Sequence, residues 1–493
     1  MPADLHFALD LADEAATAAF AEDVAAALAR GDVIGLSGGL GAGKTTFARA
    51  LIRALAADDA LEVPSPTFTL VQTYALQRLA VAHFDLYRLS SADELDELGL
   101  TEALAEGAAL IEWPERGGDR LPTERTAIEF DTVGSGRKAT VTARGTLAER
   151  LARSRAARAF LEQAGWHRAT RRHLQGDASA RVYERVGRGG RNAVLMDWPP
   201  RGALAAGDPR AAFRAREPKA FVAVAGGLKQ AGLSVPEIHA ADLSAGYLLL
   251  EDFGEERIAA NDAPLPERYR VAVDALAALH AKPRPVTLPL PDGGEHRLPH
   301  LTGDVLMAEV TIFADSYVPQ ASGRHLAASD RDELLAIWRG LDERLQQAEQ
   351  SWVVFDVQSP NLFWLPERSG IERVGWIDFQ DMFVGASAYD VASLCQDARV
   401  TVPPALEDEL KAHYVAARRA ADPAFDADSF AAAYAITSAL RQSKNMGAFS
   451  RMEAAGKANY ARHLPRARAY LGRALIHPVL SALSLWYERH LSP

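Results

Sequence analysis

The stretch Asp32-Val-Ile-Gly-Leu-Ser37, followed by Gly38, Gly39, Leu40, Gly41, Ala42, Gly43, Lys44, Thr45 and Thr46, decides the first fold of this 493-residue chain. Its first six residues are an apolar run that reads as a strand, and a helical pattern continues beyond the glycines to Arg53. Residues 38 to 45 satisfy G-x-x-x-x-G-K-[ST], in the strand, loop, helix context that a phosphate-binding loop requires. Glycines let successive backbone N–H groups point at phosphate oxygens, Lys44 reaches the β- and γ-phosphates as a point charge, and the Thr45 hydroxyl is placed to ligate Mg. The helix N-terminus adds its positive end. ATP with Mg is the expected ligand.

Working outward, an Ala-rich helical pattern precedes this strand over 13–29, and further strands are predicted over 67–74, 79–84, 108–112, 126–131 and 139–143. Gly, Ser and Arg then mark a boundary near Gly145. Beyond it come short strands over 181–186, 193–197 and 247–251, and a mostly helical remainder after Pro266. The predicted organisation is an α/β P-loop domain over 1–146, a linker and first helix over 147–158, and a two-lobed α+β domain over 159–493. Its β-rich lobe covers about 159–255 and its helical lobe about 256–493.

Composition, 48% hydrophobic and 24% charged, is that of a globular protein. The single cysteine, Cys395, rules out an intramolecular disulfide framework and fits a reducing compartment. The acidic N-terminus does not read as a secretory signal, and no apolar run approaches the roughly 20 residues that span a bilayer, so a cytoplasmic protein without membrane contact is expected. A net charge of -11 argues against broad nucleic-acid binding. Yet residues 137–191 hold 14 Lys/Arg against four acids, which reads either as an RNA-facing strip or as a solvated linker joined to a phosphate-facing lobe.

Five ordered motifs narrow the first domain: Leu40-Gly-Ala-Gly-Lys-Thr-Thr46-Phe47, Val63-Pro-Ser-Pro-Thr-Phe-Thr-Leu70, His83-Phe-Asp-Leu-Tyr-Arg88, Glu97-Leu-Gly-Leu100 and Ile111-Glu-Trp-Pro-Glu115. Together they resemble the TsaE ATPase subunit of the bacterial tRNA threonylcarbamoyladenosine machinery. The resemblance departs at Gly39, where the family commonly has an acidic residue. It implies that Asp85, ending a strand, acts as a Walker-B-type Mg ligand and that Thr67 is a switch threonine sensing the γ-phosphate. Glu112 would position water or Mg, and Trp113 would pack against the nucleotide or a partner. It also implies the other subunits of that machinery as partners, with tRNA engaged through them. Tyr87 and Arg88 read equally well as structural.

In the second domain, Val353-Val-Phe-Asp356-Val-Gln-Ser-Pro-Asn361 and Val374-Gly-Trp-Ile-Asp378-Phe-Gln380 resemble the catalytic loop and metal-binding segment of aminoglycoside-phosphotransferase-like kinases. In such chemistry Asp356 accepts the proton of the attacking hydroxyl, and Asn361 and Asp378 hold Mg against the ATP phosphates. Asp390 fits a further, structural aspartate. Gly176 to Arg181, Tyr183 to Arg185, Ala193 to Pro200, Leu248 to Gly254 and Phe379 to Asp381 narrow the resemblance to kinases that phosphorylate the anomeric hydroxyl of N-acetylmuramate and N-acetylglucosamine in cell-wall recycling. Arg441 to Met452, near a turn expected at 444–447, fits the same group.

Departures are Val354 and Gln358 at positions usually held by histidine, Phe355 at an often polar position, and Met196 at the phosphate-pairing lysine. Arg181, Arg185 or the backbone of 177–180 would then neutralise the phosphates. Glu251 and Asp252 mark the adenine-reading hinge, and Asp381, Asn445 and Arg441 are the candidate sugar contacts. His280, Phe313 and Tyr317 read as packed core. Two alternatives stay open: an ATP-switched interaction module attached to an inactive kinase-like docking lobe, and an aminoglycoside-inactivating kinase. A polycationic aminoglycoside calls for carboxylates around Asp356, whereas an N-acetyl sugar calls for neutral hydrogen-bonding groups.

Overall fold

The computed structural model describes residues 4–174, 181–199, 213–456 and 458–491. The chain forms two compact units, Met1–Pro199 with Ile238–Asp252, and Pro200–Glu237 with Phe253–Pro493. The boundary proposed at 146 falls inside the first.

The first unit opens with β1 (Leu5–Leu11), α1 (Glu14–Ala27), β2 (Val33–Gly38) and α2 (Lys44–Ala56). It continues through β3 (Val71–Tyr74), β4 (Ala80–Asp85), α3 (Leu100–Glu106), β5 (Gly107–Glu112), β6 (Thr126–Val133) and β7 (Gly136–Ala143). These strands make one sheet, ordered β1-β7-β6-β2-β5-β4-β3, with β6, β2, β5 and β4 parallel. Alternation along β5 builds two cores: Ala108 and Leu110 face Phe47 and Leu51 of α2, while Ala109 and Ile111 face Phe84 and Leu100. Gly38 is where β2 turns into the loop at φ +134°, and a Cβ there would stand 2.4 Å from the Phe130 carbonyl oxygen. Only glycine fits.

The strand predicted over 67–74 begins only at Val71. Leu70 takes φ +64° and donates its N–H to the Pro66 carbonyl at 2.7 Å, so 66–70 turn instead. β1, whose residues alternate in burial, was not foreseen.

A long helix, α4 (Gly145–Gln163), leads into a second sheet of β8 (Thr170–Leu174), β9 (Val182–Arg188), β10 (Arg191–Asp197), β11 (Ile238–Asp242) and β12 (Tyr247–Glu251), ordered β11-β12-β10-β9-β8. The basic strip of 137–191 is neither RNA-facing nor a solvated linker where it meets α1. Arg158 and Arg171 are buried and bond Asp23, Arg172 bonds Glu22, and Arg150 and Arg153 pair with Asp32 and Asp197. The acids that neutralise it lie mostly more than 100 residues upstream.

The second unit contributes α5 (Pro218–Gln230), α6 (Pro266–His280), α7 (Gly303–Ile312), α8 (Val318–Ser322), α9 (Ala328–Gln347), α10 (Ala388–Cys395), α11 (Pro404–Ala421) and α12 (Ala427–Ala454). Two short antiparallel pairs, Gln350–Val353 with Phe383–Ala386 and Leu362–Trp364 with Val374–Trp376, frame the loop 354–361. Among the described residues no helix is long and apolar enough to cross a membrane. His280, Phe313 and Tyr317 are buried, as expected of core.

The turn expected at 444–447 is absent: these residues lie inside α12. Gly447 serves close packing, since a Cβ on it would stand 2.7 Å from the Phe313 backbone nitrogen. Gly447→Ala should therefore cost about 1–3 kcal/mol of stability by overpacking, read as a lowered denaturation midpoint.

Candidate active sites

The first site sits at the carboxyl ends of three adjacent parallel strands, where open α/β sheets bind ligands. β2 delivers the glycine loop, and the register of β4 and β5 sets Asp85 beside Glu112. Lys44, the first residue of α2, folds back so that Nζ donates to the carbonyls of Gly38 at 2.7 Å and Gly39 at 2.9 Å. The same ammonium lies 3.8 Å from the Trp113 ring centre. Burial holds it below the ordinary lysine range, against the pull of Glu112, Glu115 and Asp85. Thr45 Oγ1 donates to Glu112 Oε2 at 3.0 Å, and Thr67 Oγ1 to Asp85 Oδ2 at 2.8 Å. The structure thus brings Lys44, Thr45, Thr67, Asp85, Glu112 and Trp113 together.

Sequence reasoning missed three contributors. His83 is fully buried and its Nε2 bonds Glu112 Oε1 at 2.9 Å, fixing that carboxylate. Ser65 Oγ donates to Asp85 Oδ2 at 3.2 Å, and Arg137 Nη2 to the Gly41 carbonyl at 3.2 Å. The signal for His83 was the period of two on β4, which puts residues 83 and 85 on one face. Tyr87 and Arg88 lean on neighbouring rings, Trp113 at 5.1 Å and Phe68 at 4.3 Å.

In the second unit the hairpin pairs assemble Asp356, Asn361 and Asp378. Asn361 Nδ2 donates to the Asp356 carbonyl at 2.9 Å, and the Ile377 N–H donates to the Asn361 carbonyl at 3.0 Å. Asp378 takes φ +60°, and its Oδ1 accepts from Gln380 Nε2 at 2.9 Å. The fully buried Asp390 accepts from the backbone N–H groups of Val354 at 2.7 Å and Phe355 at 3.0 Å, the structural role expected of it. A second buried carboxylate, Asp397, was missed; it accepts from the Ser359 N–H at 2.6 Å, and burial pushes it above the ordinary range. It lies two residues past the end of α10.

Around Asp356 the lining is cationic rather than neutral. Arg214 lies 4.7 Å and Lys444 4.3 Å from the Phe355 ring centre, and Arg441 Nη1 donates to the Phe355 carbonyl at 3.2 Å. Asp381, one of the candidate sugar contacts, instead accepts from Arg214 Nη1 at 3.0 Å and the Ala215 N–H at 2.6 Å.

On the second sheet of the first unit, Met196 is fully buried and lies opposite Leu248 and Tyr183, so the usual lysine position is core here. Arg185 Nε donates to Asp252 Oδ2 at 2.7 Å, and the Arg181 guanidinium lies 5.1 Å from the Trp198 ring. Glu251 ends β12 opposite Ala193. The backbone at 177–180, offered as a phosphate contact, lies outside the described residues.

With this geometry in place, residues 170–424 match the phosphotransferase enzyme family. The chain belongs to that family. The N-acetylmuramate/N-acetylglucosamine kinase of Caulobacter vibrioides is 35% identical over 362 residues, covering 69% of this chain and 97% of that protein. The kinase of the same name from Pseudomonas aeruginosa is 32% identical over 310 residues, or 61% and 82%. Residues 11–139 match the threonylcarbamoyl adenosine biosynthesis protein TsaE family, and TsaE of Rickettsia bellii is 43% identical over 113 residues, 23% of this chain and 78% of that protein. The chain is thus an enzyme in which a TsaE domain with a P-loop ATPase site is fused to a phosphotransferase domain, both using ATP.

Proposed function

We propose that the chain carries two ATP-dependent activities. In the first, ATP hydrolysis over residues 1–146 supports threonylcarbamoyl modification of the tRNA adenosine beside the anticodon, through the other subunits of that machinery. Thr45 and Asp85 offer the hard oxygen donors that Mg takes, with Glu112 and the switch residue Thr67 bonded to them. The Lys44 ammonium, now on the Gly38 and Gly39 carbonyls, would exchange those bonds for phosphate oxygens.

In the second, residues 159–493 phosphorylate the anomeric hydroxyl of N-acetylmuramate or N-acetylglucosamine. The observation that carries this reading is Asp356 and Asn361 on a loop pinned by two buried aspartates, with Asp378 two residues beyond the strand Val374–Trp376 that pairs with Leu362–Trp364. The anomeric oxygen attacks the γ-phosphorus while its proton passes to the Asp356 carboxylate, and the bond to the ADP oxygen breaks. Asn361 and Asp378 would hold Mg, which supplies charge neutralisation on the phosphates. Arg181 and Arg185 stand in for the missing lysine, and Glu251 and Asp252 border the adenine. The cations beside Asp356 favour a neutral or acidic sugar over a polycationic aminoglycoside.

Independence of the two sites is tested with the whole chain. Asp85→Ala is expected to abolish sugar-independent ATP hydrolysis while sugar phosphorylation continues at the unsubstituted rate. Loss of both would mean that the kinase depends on the first site.

A further inference from the structure

This inference rests on the sugar-kinase reading and names the acceptor group that α12 addresses. Arg441, Lys444 and Asn445 stand at i, i+3 and i+4, one above another on a single helix face. That face meets the residue preceding the base: Lys444 Nζ lies 4.3 Å from the Phe355 ring centre, and Arg441 bonds the Phe355 carbonyl. Its donors are under-used. Among the described residues Lys444 makes no hydrogen bond or ion pair. Arg441 Nε and Asn445 Nδ2 are buried without an acceptor.

A buried donor left unpaired costs about 1–3 kcal/mol, so the two buried donors of Arg441 and Asn445, beside the half-buried Lys444 ammonium on the same helix face, call for acceptors from a ligand. Neighbouring charges do not already saturate them: Arg214 is taken by Asp381, and Glu309 of α7 acts on Lys444 without bonding it. We propose that Lys444, with Arg441 and Asn445, forms a subsite for a carboxylate carried by the acceptor sugar, so that the kinase prefers an acidic amino sugar to its neutral counterpart. N-acetylmuramate and N-acetylglucosamine differ by such a carboxylate, borne on a lactyl ether, and share the anomeric hydroxyl.

Burial draws the Lys444 ammonium down to about 8, with Glu309 and Asp356 opposing that shift and Arg214 and Arg441 adding to it. Preference for the acidic sugar should therefore fade between pH 7 and 9 as this proton is lost. The neutral sugar shares every other titration, so the ratio isolates Lys444.

The experiment measures kcat/KM for both sugars with the full chain, unsubstituted and as Lys444→Met and Lys444→Arg. Removing the charge-assisted bond in Lys444→Met should lower the N-acetylmuramate to N-acetylglucosamine ratio by roughly ten- to a hundredfold, with Lys444→Arg keeping most of it. A ratio that stays within about threefold in Lys444→Met overturns the subsite while leaving the kinase reading intact. No turnover of either sugar by the unsubstituted chain overturns the reading on which it rests.

Discussion

Replacing Asp356 with asparagine is expected to lower kcat for sugar phosphorylation by about 10²–10⁴-fold, the range for removing a positioned general base, with little change in the KM for ATP. Asparagine keeps the shape of the side chain and removes only its capacity to take the proton. The surrounding loop has its own supports: Asp390 holds the N–H groups of Val354 and Phe355, and Asn361 holds the Asp356 carbonyl. Phe355 sits at φ +85°, a conformation that persists only because those bonds fix it, so the base is presented at a set angle. Loss of rate therefore reports chemistry, not collapse. ATP consumption by the full chain with N-acetylmuramate, N-acetylglucosamine and kanamycin, beside this variant, separates the competing readings. Sugar-dependent turnover that disappears in Asp356→Asn supports the amino-sugar kinase, turnover with kanamycin alone makes it an antibiotic-inactivating enzyme, and silence with every acceptor leaves a docking lobe.

What the sequence made legible follows a physical divide between local and tertiary determinants. The phosphate loop is a backbone device, so its glycines, Lys44 and Thr45 carry the whole signal within eight residues. Asp85 and Glu112 were legible because each ends an apolar strand, and parallel pairing then places them side by side. Asp356, Asn361 and Asp378 were legible through the resemblance of two short segments, 353–361 and 374–380, to a kinase catalytic loop and metal-binding segment. His83 and Ser65 were not, because nothing local shows that a histidine and a serine will meet carboxylates 29 and 20 residues away. Gly447 was misread as a turn because its reason for being glycine is the Phe313 backbone on another helix. Lys444 sits within that same stretch, so a turn reading that left Arg441 and Asn445 as candidate sugar contacts passed over the lysine on their helix face.

The part of the basic strip that meets α1 was the largest misreading, and the second strong prediction comes from it. Arg171 is buried, donates from Nε and Nη2 to both oxygens of Glu184 at 2.6 and 2.8 Å, and donates from Nη1 to Asp23 Oδ1 at 2.7 Å. Glu22 and Asp23 of α1 are themselves buried, and Arg158 bonds both. α1 of the ATPase is thus joined to the second sheet by a closed set of charges, each solvated by its partners in place of water. Arg171→Met removes the centre of that set and strands the Glu184 carboxylate. Breaking a buried pair in this way costs about 3–5 kcal/mol, which for a unit of this size lowers the denaturation midpoint by on the order of 10 °C.

The pH dependence carries a sign. Burial works to raise the Glu184 carboxyl, and the Arg171 guanidinium outweighs it, holding the group below its ordinary range. In the unsubstituted chain that pairing stabilises the fold above the unfolded carboxylate value of about 4.3 and is lost as pH falls through the lower folded value. With Arg171 gone, burial is opposed only by the weaker pull of Arg158 and Arg78, and the stranded carboxylate destabilises the fold at neutral pH, so the gap between variant and parent should be widest there and narrow below about pH 4.3. Adding Glu184→Gln to Arg171→Met should recover part of the loss at neutral pH, because it deletes the stranded charge, whereas Glu184→Gln alone should destabilise. A gap that did not change with pH, and a double variant no better than Arg171→Met, would mean that Arg171 acts by filling space and not by solvating charge.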